Sequence, residues 1–415
     1  MASAAIVEDG IWTGNDWYDS VNDIGVSNGV PYSNNQKVQR RITAPQSIDG
    51  SVEDTYLTYA NVQLVQSIFS EADWDLRFPQ RNSIYTYDNF LKSVAKFPSF
   101  CGETNITGQT LEQTCKRELA SIFAHWTQET GKRQPGQGEF WTQGLYWVEE
   151  IGCSGSTSVG CAYSQAGWAG EAWPSQPDQF YYGRGPFQLS YNYNYGRFSN
   201  IFAPSSYNSK MYLLENPQIV ATDGFLAMAA GIWFYMTPQD PKPSMHDVMT
   251  GFFEPASVDL NGNLTATFGT TTNIINGGVE CNQSPENSKA ASRAEYYSRW
   301  LEVFGMPAED GLTCGDQIGY FPWSGAGDVV GYWAEDWSGA TACRPATYQT
   351  AYDITARDDY KRCVCDLVGN GEADCPQADG TPNPTPDPTP DPDPTPDPTP
   401  DPTPDPTPDP HNGHF

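Results

Sequence analysis

Residues 181–196 read YYGRGPFQLSYNYNYG, and residues 274–281 read IINGGVEC. Both stretches are dense in aromatic, amide and glycine residues and carry few charges. Tyrosine combines an apolar ring with a polar tip, and glycine lets the backbone approach a ligand closely. This composition is typical of a groove that stacks sugar rings and hydrogen-bonds their hydroxyl and acetamido groups. Either stretch alone also fits an ordinary surface loop, so the residues around them must decide.

A helix with one apolar face is predicted upstream of these stretches. Its apolar residues recur at helical spacing: Leu119, Ile122, Phe123 and Trp126. Glu129 continues the same stripe, so we expect it at the end of a buried face, where burial disfavours a charged carboxyl group. The alternative is an ordinary helix-end glutamate that faces solvent.

Two further helices can be read from their ends. One begins with Asn216 as N-cap and Pro217 in the first turn and continues through an apolar run to Trp233. The other begins at residues 284–286 and ends at Gly305. The chain lacks a βαβ alternation and long alternating strand runs, so the predicted fold class is mainly α.

A pair of carboxyl groups is what glycosidic hydrolysis requires, one protonated and one ionised. Glu129 is the candidate acid. The candidate partner is Glu149 or Glu150, about twenty residues further along. Adjacent side chains point in different directions, so only one of the two should enter a cleft, and the residues alone do not choose between them.

The charge of the chain excludes some partners. The formal net charge is −29, and the seven aspartates of the C-terminal tail leave −22 for the rest. Phosphates would be repelled, so no nucleic-acid partner is expected. A window of about 18 apolar residues is lacking, so no membrane-spanning helix is expected. Neutral or cationic polymers are the favoured partners.

The ten cysteines are an even number, which indicates disulfides and an oxidising compartment. Their spacing suggests three local closures: Cys101–Cys115, Cys153–Cys161 and Cys281–Cys314. Four cysteines remain in a C-terminal cluster whose pairing stays open: Cys343, Cys363, Cys365 and Cys375. A zinc site is the alternative there, and it is disfavoured because one residue separates Cys363 from Cys365 and no histidine lies nearby.

Composition divides the chain into four parts. They are an N-terminal extension (1–60), a main domain (61–314), a small cysteine-containing appendage (315–376) and a Thr-Pro-Asp-Pro tail (377–415). Proline fixes φ and lacks an N–H donor, so the tail is predicted to be a disordered, extended spacer. Such a spacer usually separates two modules, and we expect a module after the tail to be missing.

Several stretches, in order, resemble family 19 glycoside hydrolases, the plant-type chitinases. The resemblance covers about residues 61–314 and is carried by residues 85–90, 97–100, 124–131, 181–196, 233–239, 242–248 and 273–281. It implies a mainly α, lysozyme-like, bilobal fold with a deep substrate cleft. It also implies hydrolysis of β-1,4-linked N-acetylglucosamine polymers with inversion at the anomeric carbon, without a metal or organic cofactor.

The resemblance also implies roles for single residues. Glu129 matches the general acid, and Glu150 matches the general base because Ile151 follows it. Ser190 matches the serine that helps to hold the attacking water. Sugar-contacting positions are matched by Gln188, Tyr193, Asn194, Lys242 and Asn276. A supporting charge pair, expected to keep the base ionised, is matched by Glu280 and Arg293.

The chain departs from the family pattern at four positions. Gln128 replaces a histidine, Gly131 a threonine, Tyr146 a cysteine, and Glu149 a residue that is commonly basic. None of these changes removes a catalytic carboxyl group. Glu149, however, puts a second carboxylate beside the matched base, which bears on the identity of that base.

The sequence therefore predicts a secreted, monomeric endochitinase that acts on chitin or chitin oligosaccharides. One alternative is a muramidase-type lysin, disfavoured because an anionic protein suits an anionic cell-wall polymer poorly. The other is a chitin-binding protein without catalysis, disfavoured because both carboxyl groups are present.

Overall fold

The computed structural model describes residues 54–155, 158–165, 173–202, 212–239, 241–322, 330–335 and 341–346. The Pro-rich tail, and most of the N-terminal extension and of the C-terminal cysteine cluster, lie outside the described residues. The predictions for these segments therefore remain predictions.

Helices dominate the described residues, which confirms the mainly α fold class. In chain order they are α1 (Ala60–Ile68), α2 (Glu71–Arg77), α3 (Tyr87–Ala95), α4 (Leu111–Thr130), α5 (Asn192–Phe202), α6 (Tyr212–Glu215), α7 (Ile219–Thr222), α8 (Gly224–Met236), α9 (Met245–Thr250), α10 (Ser257–Asn261), α11 (Phe268–Glu280) and α12 (Ser288–Val303). Single 3-10 turns occur at Asp54–Thr58, Phe140–Thr142 and Val159–Cys161. Two short strands, β1 (Val330–Glu335) and β2 (Thr341–Ala346), pair antiparallel with Val330 opposite Ala346. None of the described helices is long and apolar enough to cross a bilayer.

Helix α4 runs through the core. Its first turn is closed by a capping box in which Thr110 and Gln113 satisfy each other's backbone N–H groups. The predicted apolar stripe from Leu119 to Trp126 is buried, and so are most of the other α4 residues. The helix therefore carries Glu129, near its C-terminal end, out of a packed interior.

The prediction of one continuous second helix is wrong, because the chain forms two helices there, α7 and α8. Asp223 separates them with extended backbone angles, φ −95° and ψ 111°, and its carboxylate accepts the N–H of Leu226 at 2.9 Å. An aspartate side chain that takes a backbone donor favours a helix start over a helix interior. The apolar run after this cap is buried in α8 as expected.

The predicted third helix begins later than expected but ends where expected. Its N-cap is Asn287, whose side chain accepts the N–H of Lys289. At the other end, Gly305 has φ 65° and the N–H of Met306 bonds to the carbonyl of Leu301 at 2.9 Å. This is a Schellman end, which glycine favours because it has no Cβ.

Helix α12 packs antiparallel along α4. The rings of Phe123 and Trp300 lie 4.9 Å apart near the middle of the pair. Arg117, near the start of α4, bonds to Glu309 beyond the end of α12, with 2.7 Å between Nε and Oε1. The start of α12 consequently lies beside the end of α4, where Glu129 is.

All three predicted disulfides are confirmed: Cys101–Cys115, Cys153–Cys161 and Cys281–Cys314. The packing continues past Cys314, because the carbonyl of Ile318 accepts the amide of Asn273 at 2.6 Å and Phe321 is buried. The body that contains α11 therefore extends to the end of this described segment.

A buried charge cluster joins α4 and α9 to the loop after α3. His246 is fully buried and bonds to Glu118 at 2.6 Å and to Glu103 at 3.0 Å, one through each ring nitrogen. Glu118 also accepts the N–H of Cys101 at 2.9 Å. Burial by itself lowers the pKa of His246, but the two glutamates outweigh burial and raise it to about 10. The imidazole is therefore charged at neutral pH.

The free energy of unfolding should consequently depend on pH through His246. Its pKa is about 10 in the folded protein and about 6.5 in an unfolded chain. Its stabilising contribution is thus complete below about pH 6.5 and is lost as pH rises toward about 10. Urea unfolding of the parent and of His246→Gln across this range should show a stability gap that narrows with pH. A gap that stays constant would contradict a charged His246.

Candidate active site

Thr130, the last residue of α4, anchors the segment that carries the second candidate carboxylate. Its hydroxyl accepts the N–H of Leu145 at 2.8 Å. Its carbonyl accepts the N–H groups of Tyr146 and Trp147 at 3.2 and 3.0 Å. The segment leading to Glu150 therefore starts against the residue that follows Glu129.

Glu129 shares a guanidinium with a second, buried glutamate. Arg293 donates to both oxygens of Glu280 at 2.9 Å, and its Nη2 also donates to Oε1 of Glu129. Arg293 and Glu280 are buried, whereas the Glu129 side chain is 21% exposed. The trio thus contains one guanidinium and two carboxyl groups, of which only Glu129 reaches solvent.

The protonation of the two buried partners is set by each other. Burial raises the pKa of Glu280, but hydrogen bonds from Arg293 and Asn276 outweigh it and hold the pKa below its usual range. Burial lowers the pKa of Arg293, but the charges of Glu129 and Glu280 hold it above its ordinary value. Glu280, bound through two hydrogen bonds, is the buried counter-charge of Arg293.

This arrangement corrects one expectation from the sequence. The pair Glu280 and Arg293 was expected to keep the predicted base ionised, yet Arg293 contacts Glu129, the predicted acid. The physical reason is the antiparallel packing of α12 on α4, which brings the start of α12 to the end of α4. The Glu150 side chain instead accepts hydrogen bonds from Tyr163 and Gly183.

Two candidate sugar-contacting residues lie near this trio. Helix α11 is kinked at Asn276, which has φ −149° and ψ 36°, and the Asn276 amide donates to Glu280 at 2.8 Å. Lys242 donates from Nζ to the carbonyl of Ile274 at 2.9 Å. Burial lowers the pKa of Lys242 to about 8. Lys242 therefore contacts α11, and Asn276 of α11 contacts Glu280. Glu280 shares Arg293 with Glu129, so both candidates lie close to the acid.

Glu150 receives both of its hydrogen bonds in the described part of the chain from neutral donors. The hydroxyl of Tyr163 donates to Oε1 at 2.8 Å. The N–H of Gly183 donates to Oε2 at 3.3 Å, and the N–H of Glu150 returns a bond to the Gly183 carbonyl at 2.9 Å. The carboxylate is thus fixed in orientation.

The neighbouring Glu149 has different partners. It pairs with the buried Arg184 at 3.4 Å and accepts hydrogen bonds from Tyr182 at 3.0 Å and Ser154 at 2.7 Å. Its charge is therefore compensated within the protein. The two adjacent glutamates, which the residues alone did not separate, are separated by their partners.

The remaining candidates follow Glu150 along residues 185–194. Gln188 has φ 51° at the end of a tight turn, and its side chain donates to the Gly185 carbonyl at 3.0 Å. The Ser190 hydroxyl donates to the Gln188 carbonyl at 2.8 Å, and the Asn194 amide donates to the Ser190 carbonyl at 3.0 Å. The Asn194 Oδ1 is buried without a hydrogen-bond partner among the described residues. It can accept a hydroxyl or amide donor from a ligand.

The aromatic surface beside these residues is partly open. Tyr193 is half-buried, and its ring stacks on that of Tyr191 with 5.7 Å between centroids. Tyr191 is 39% exposed. Phe187 completes the connection to α4, because its ring lies 6.0 Å from His125 and 6.4 Å from Trp126. The two groups of candidates therefore border one another across Phe187.

The sequence profile described as chitinase class I, glycoside hydrolase family 19, matches residues 67–314. The chain belongs to this family. Endochitinase 1 from Solanum tuberosum is 37% identical over 238 residues, covering 57% of this chain and 68% of the relative. An endochitinase from Carica papaya is 35% identical over 261 residues, covering 61% of this chain and 98% of the relative. The crystal structure of chitinase C from Streptomyces griseus HUT6037 aligns with 60% of this chain and 97% of its own at 26% identity and a TM-score of 0.43.

The departures of this family 19 glycoside hydrolase from its family pattern have local partners. Gln128 accepts a hydrogen bond from Arg133. A Cβ on Gly131 would lie 2.5 Å from the carbonyl of Thr127, so a larger residue does not fit this backbone. Tyr146 packs under the ammonium of Lys132, 4.8 Å from the ring centroid. None of the three changes touches a candidate carboxylate in the described residues.

Sequence reasoning missed two residues that contact the candidate machinery of this chitinase family member. The first is Tyr163, on Glu150. The second is His125, whose Nδ1 lies 3.2 Å from Nη1 of Arg293 and whose Nε2 lies 2.8 Å from the hydroxyl of Thr271. Burial and then the charge of Arg293 hold the pKa of His125 well below its ordinary value. Because arginine only donates, the imidazole is neutral and carries its proton on Nε2.

Helical spacing could have identified His125, since it lies one turn before Glu129 on the same helix. Tyr163 follows a disulfide loop and is contiguous with neither motif, so sequence offered no comparable signal.

Replacing Arg293 with methionine should be strongly destabilising. The change leaves Glu280 buried without its cation, and removing one partner of a buried pair costs about 3–5 kcal/mol. Urea unfolding of Arg293→Met, Glu280→Gln and the double variant tests this. The double variant should recover a large part of the loss, because the uncompensated charge is absent. Strictly additive losses would contradict the coupling.

Proposed function

We propose that this chain is an inverting endochitinase in which Glu129 is the general acid and Glu150 the general base. The observation that carries the proposal is the unlike setting of the two carboxyl groups. Glu129 adjoins a charge-balanced Arg293–Glu280 pair, and the donors to Glu150 among the described residues are neutral. Two carboxyl groups with different protonation are what inversion in one displacement requires.

The setting of Glu129 suits a proton donor. The Arg293–Glu280 pair beside Glu129 is already charge-balanced. Once the proton passes to the glycosidic oxygen, the new carboxylate already faces the guanidinium of Arg293. Charge that develops in the transition state is thereby met by a group that need not move.

The setting of Glu150 suits a proton acceptor. The Ser190 hydroxyl donates its hydrogen bond to the Gln188 carbonyl. Toward a water molecule it is therefore a hydrogen-bond acceptor. A water that donates one proton to Ser190 and the other to Glu150 turns its lone pair toward the anomeric carbon. The bond from water to that carbon forms as the glycosidic bond breaks. One water proton passes to Glu150, the proton of Glu129 passes to the leaving oxygen, and the second water proton stays on the new anomeric hydroxyl.

The substrate class follows from the family and from the neutral character of the binding residues. The candidate binding residues offer amides, a hydroxyl and an aromatic face, which match N-acetylated sugars. These residues are Gln188, Tyr193, Asn194 and Asn276. Lys242 adds one donor. The family's named relatives are endochitinases, which supports chitin and its oligosaccharides as the substrate.

Secretion is proposed on the three disulfides, because disulfides persist in oxidising compartments.

Three isosteric variants test the roles of the glutamates. Glu129→Gln and Glu150→Gln should each lower turnover by about 10²–10⁴-fold, the usual contribution of general acid–base catalysis. Glu149→Gln is the matched control and should change turnover by less than about tenfold, below the contribution of a general acid or base, because Glu149 is bound by Arg184, Tyr182 and Ser154. Release of reducing ends from colloidal chitin measures turnover, and thermal melting checks the fold. A larger loss for Glu149→Gln than for Glu150→Gln would reverse the assignment of the base.

The stereochemistry can be read from the first product. Anomer-resolved NMR of a chitin hexamer should show the α-anomer before mutarotation, since a β-linkage is inverted. An initial β-anomer would indicate a covalent intermediate and a retaining mechanism. Clearing of a peptidoglycan suspension with no cleavage of the hexamer would support a muramidase instead.

A further inference from the structure

We propose that Tyr163 is a positioning residue that holds the base carboxylate in its working orientation. The loop closed by Cys153–Cys161 delivers Tyr163 to that place. This inference rests on the proposed role of Glu150 as the base. Tyr163 acts through Glu150 and has no assigned contact with the substrate.

The contact itself is direct. The Tyr163 hydroxyl donates to Oε1 of Glu150 at 2.8 Å, which is a good length for an O–H···O bond. Within the described part of the chain, the second oxygen, Oε2, receives the longer bond of 3.3 Å from Gly183. Tyr163 therefore provides the shorter of the two contacts that fix the carboxylate plane.

The backbone at Tyr163 is held in an uncommon conformation. Its φ is 47°, in the left-handed region that a bulky residue seldom adopts. Such a residue persists only where the surroundings impose it, and these positions concentrate at functional sites. Hydrogen bonds hold both sides of it: the Ala162 carbonyl accepts the N–H of Tyr181 at 2.9 Å, and the Tyr163 carbonyl accepts the N–H of Asn192 at 3.2 Å.

The loop starts and ends on the same glutamate. The carbonyl of Glu150 accepts the N–H of Cys153 at 3.2 Å. Cys153 is bonded to Cys161, and two residues later the Tyr163 hydroxyl returns to the Glu150 side chain. Tyr163 packs against this disulfide, and its ring lies 5.2 Å from that of Tyr191. The disulfide thus fixes the phenol relative to the carboxylate it serves.

The chemical consequence is twofold. Fixing the carboxylate plane keeps the proton-accepting oxygen directed at the water that Ser190 holds. Donation from a phenol to a carboxylate also favours the ionised form of that carboxylate, which is the form a general base needs. Both effects disappear when the hydroxyl is removed and the ring is kept.

The test is Tyr163→Phe, with Tyr182→Phe as the matched control. Tyr163→Phe should lower kcat by about 10- to 100-fold, the loss expected for a hydrogen bond to a charged group, with KM changed by less than about twofold. The acidic limb of its kcat–pH profile should move to higher pH. Tyr182→Phe removes the equivalent hydrogen bond to Glu149 and should leave that limb in place.

A second arm keeps the test decisive if Tyr163→Phe does not fold. Replacing Tyr163 with 3-fluorotyrosine preserves the shape and gives a more acidic, stronger donor, so the acidic limb should move to lower pH. The inference would be overturned if both substituted proteins had the same kcat and the same acidic limb of the kcat–pH profile as the parent protein. It would also be overturned if kcat fell while the acidic limb did not move. If Glu150→Gln remains active, the proposed base is wrong; if it is inactive while Tyr163→Phe is normal, only the role of Tyr163 fails.

Discussion

The guanidinium of Arg293 is buried between the carboxylates of Glu280 and Glu129, and the candidate site depends on this interaction. A buried cation needs a partner that is equally fixed, and Glu280 supplies it with two hydrogen bonds. Neutral His125 takes a further N–H of the guanidinium without adding charge. The planar group is thus fixed on several sides, and only the side of Glu129 opens toward solvent.

The two successive glutamates, Glu149 and Glu150, differ in the charge of their partners. Glu149 binds the buried Arg184 and fastens residues 182–184 to the segment before them. Glu150 also joins the two segments, because its backbone N–H donates to the Gly183 carbonyl. Its carboxylate accepts a hydrogen bond from the neutral N–H of Gly183. One of two adjacent glutamates is therefore engaged in an ion pair, whereas the other accepts hydrogen bonds from neutral groups among the described residues.

Local patterns indicated the helices, the disulfides and Glu129, and the resemblance chose Glu150 over Glu149 and supplied the sugar-contacting candidates. The stripe from Leu119 to Trp126 and the end at Gly305 are each determined by neighbours within a turn or two. The break at Asp223 was missed because a cap and a helix interior differ by one side-chain hydrogen bond. The pair of Glu280 and Arg293 was predicted correctly, but it contacts Glu129 and not the predicted base. That contact depends on how two distant helices pack, which spacing along the chain does not encode.

The hydrogen bonds of Thr130 determine where the length of the chain can change between Glu129 and Glu150. Its three hydrogen bonds to residues 145–147 close the intervening loop, residues 131–144, at its base. Lengthening a loop whose ends are already joined adds little closure entropy. Insertions or deletions within this loop can therefore reshape its surface while leaving Glu129 and Glu150 at the same separation.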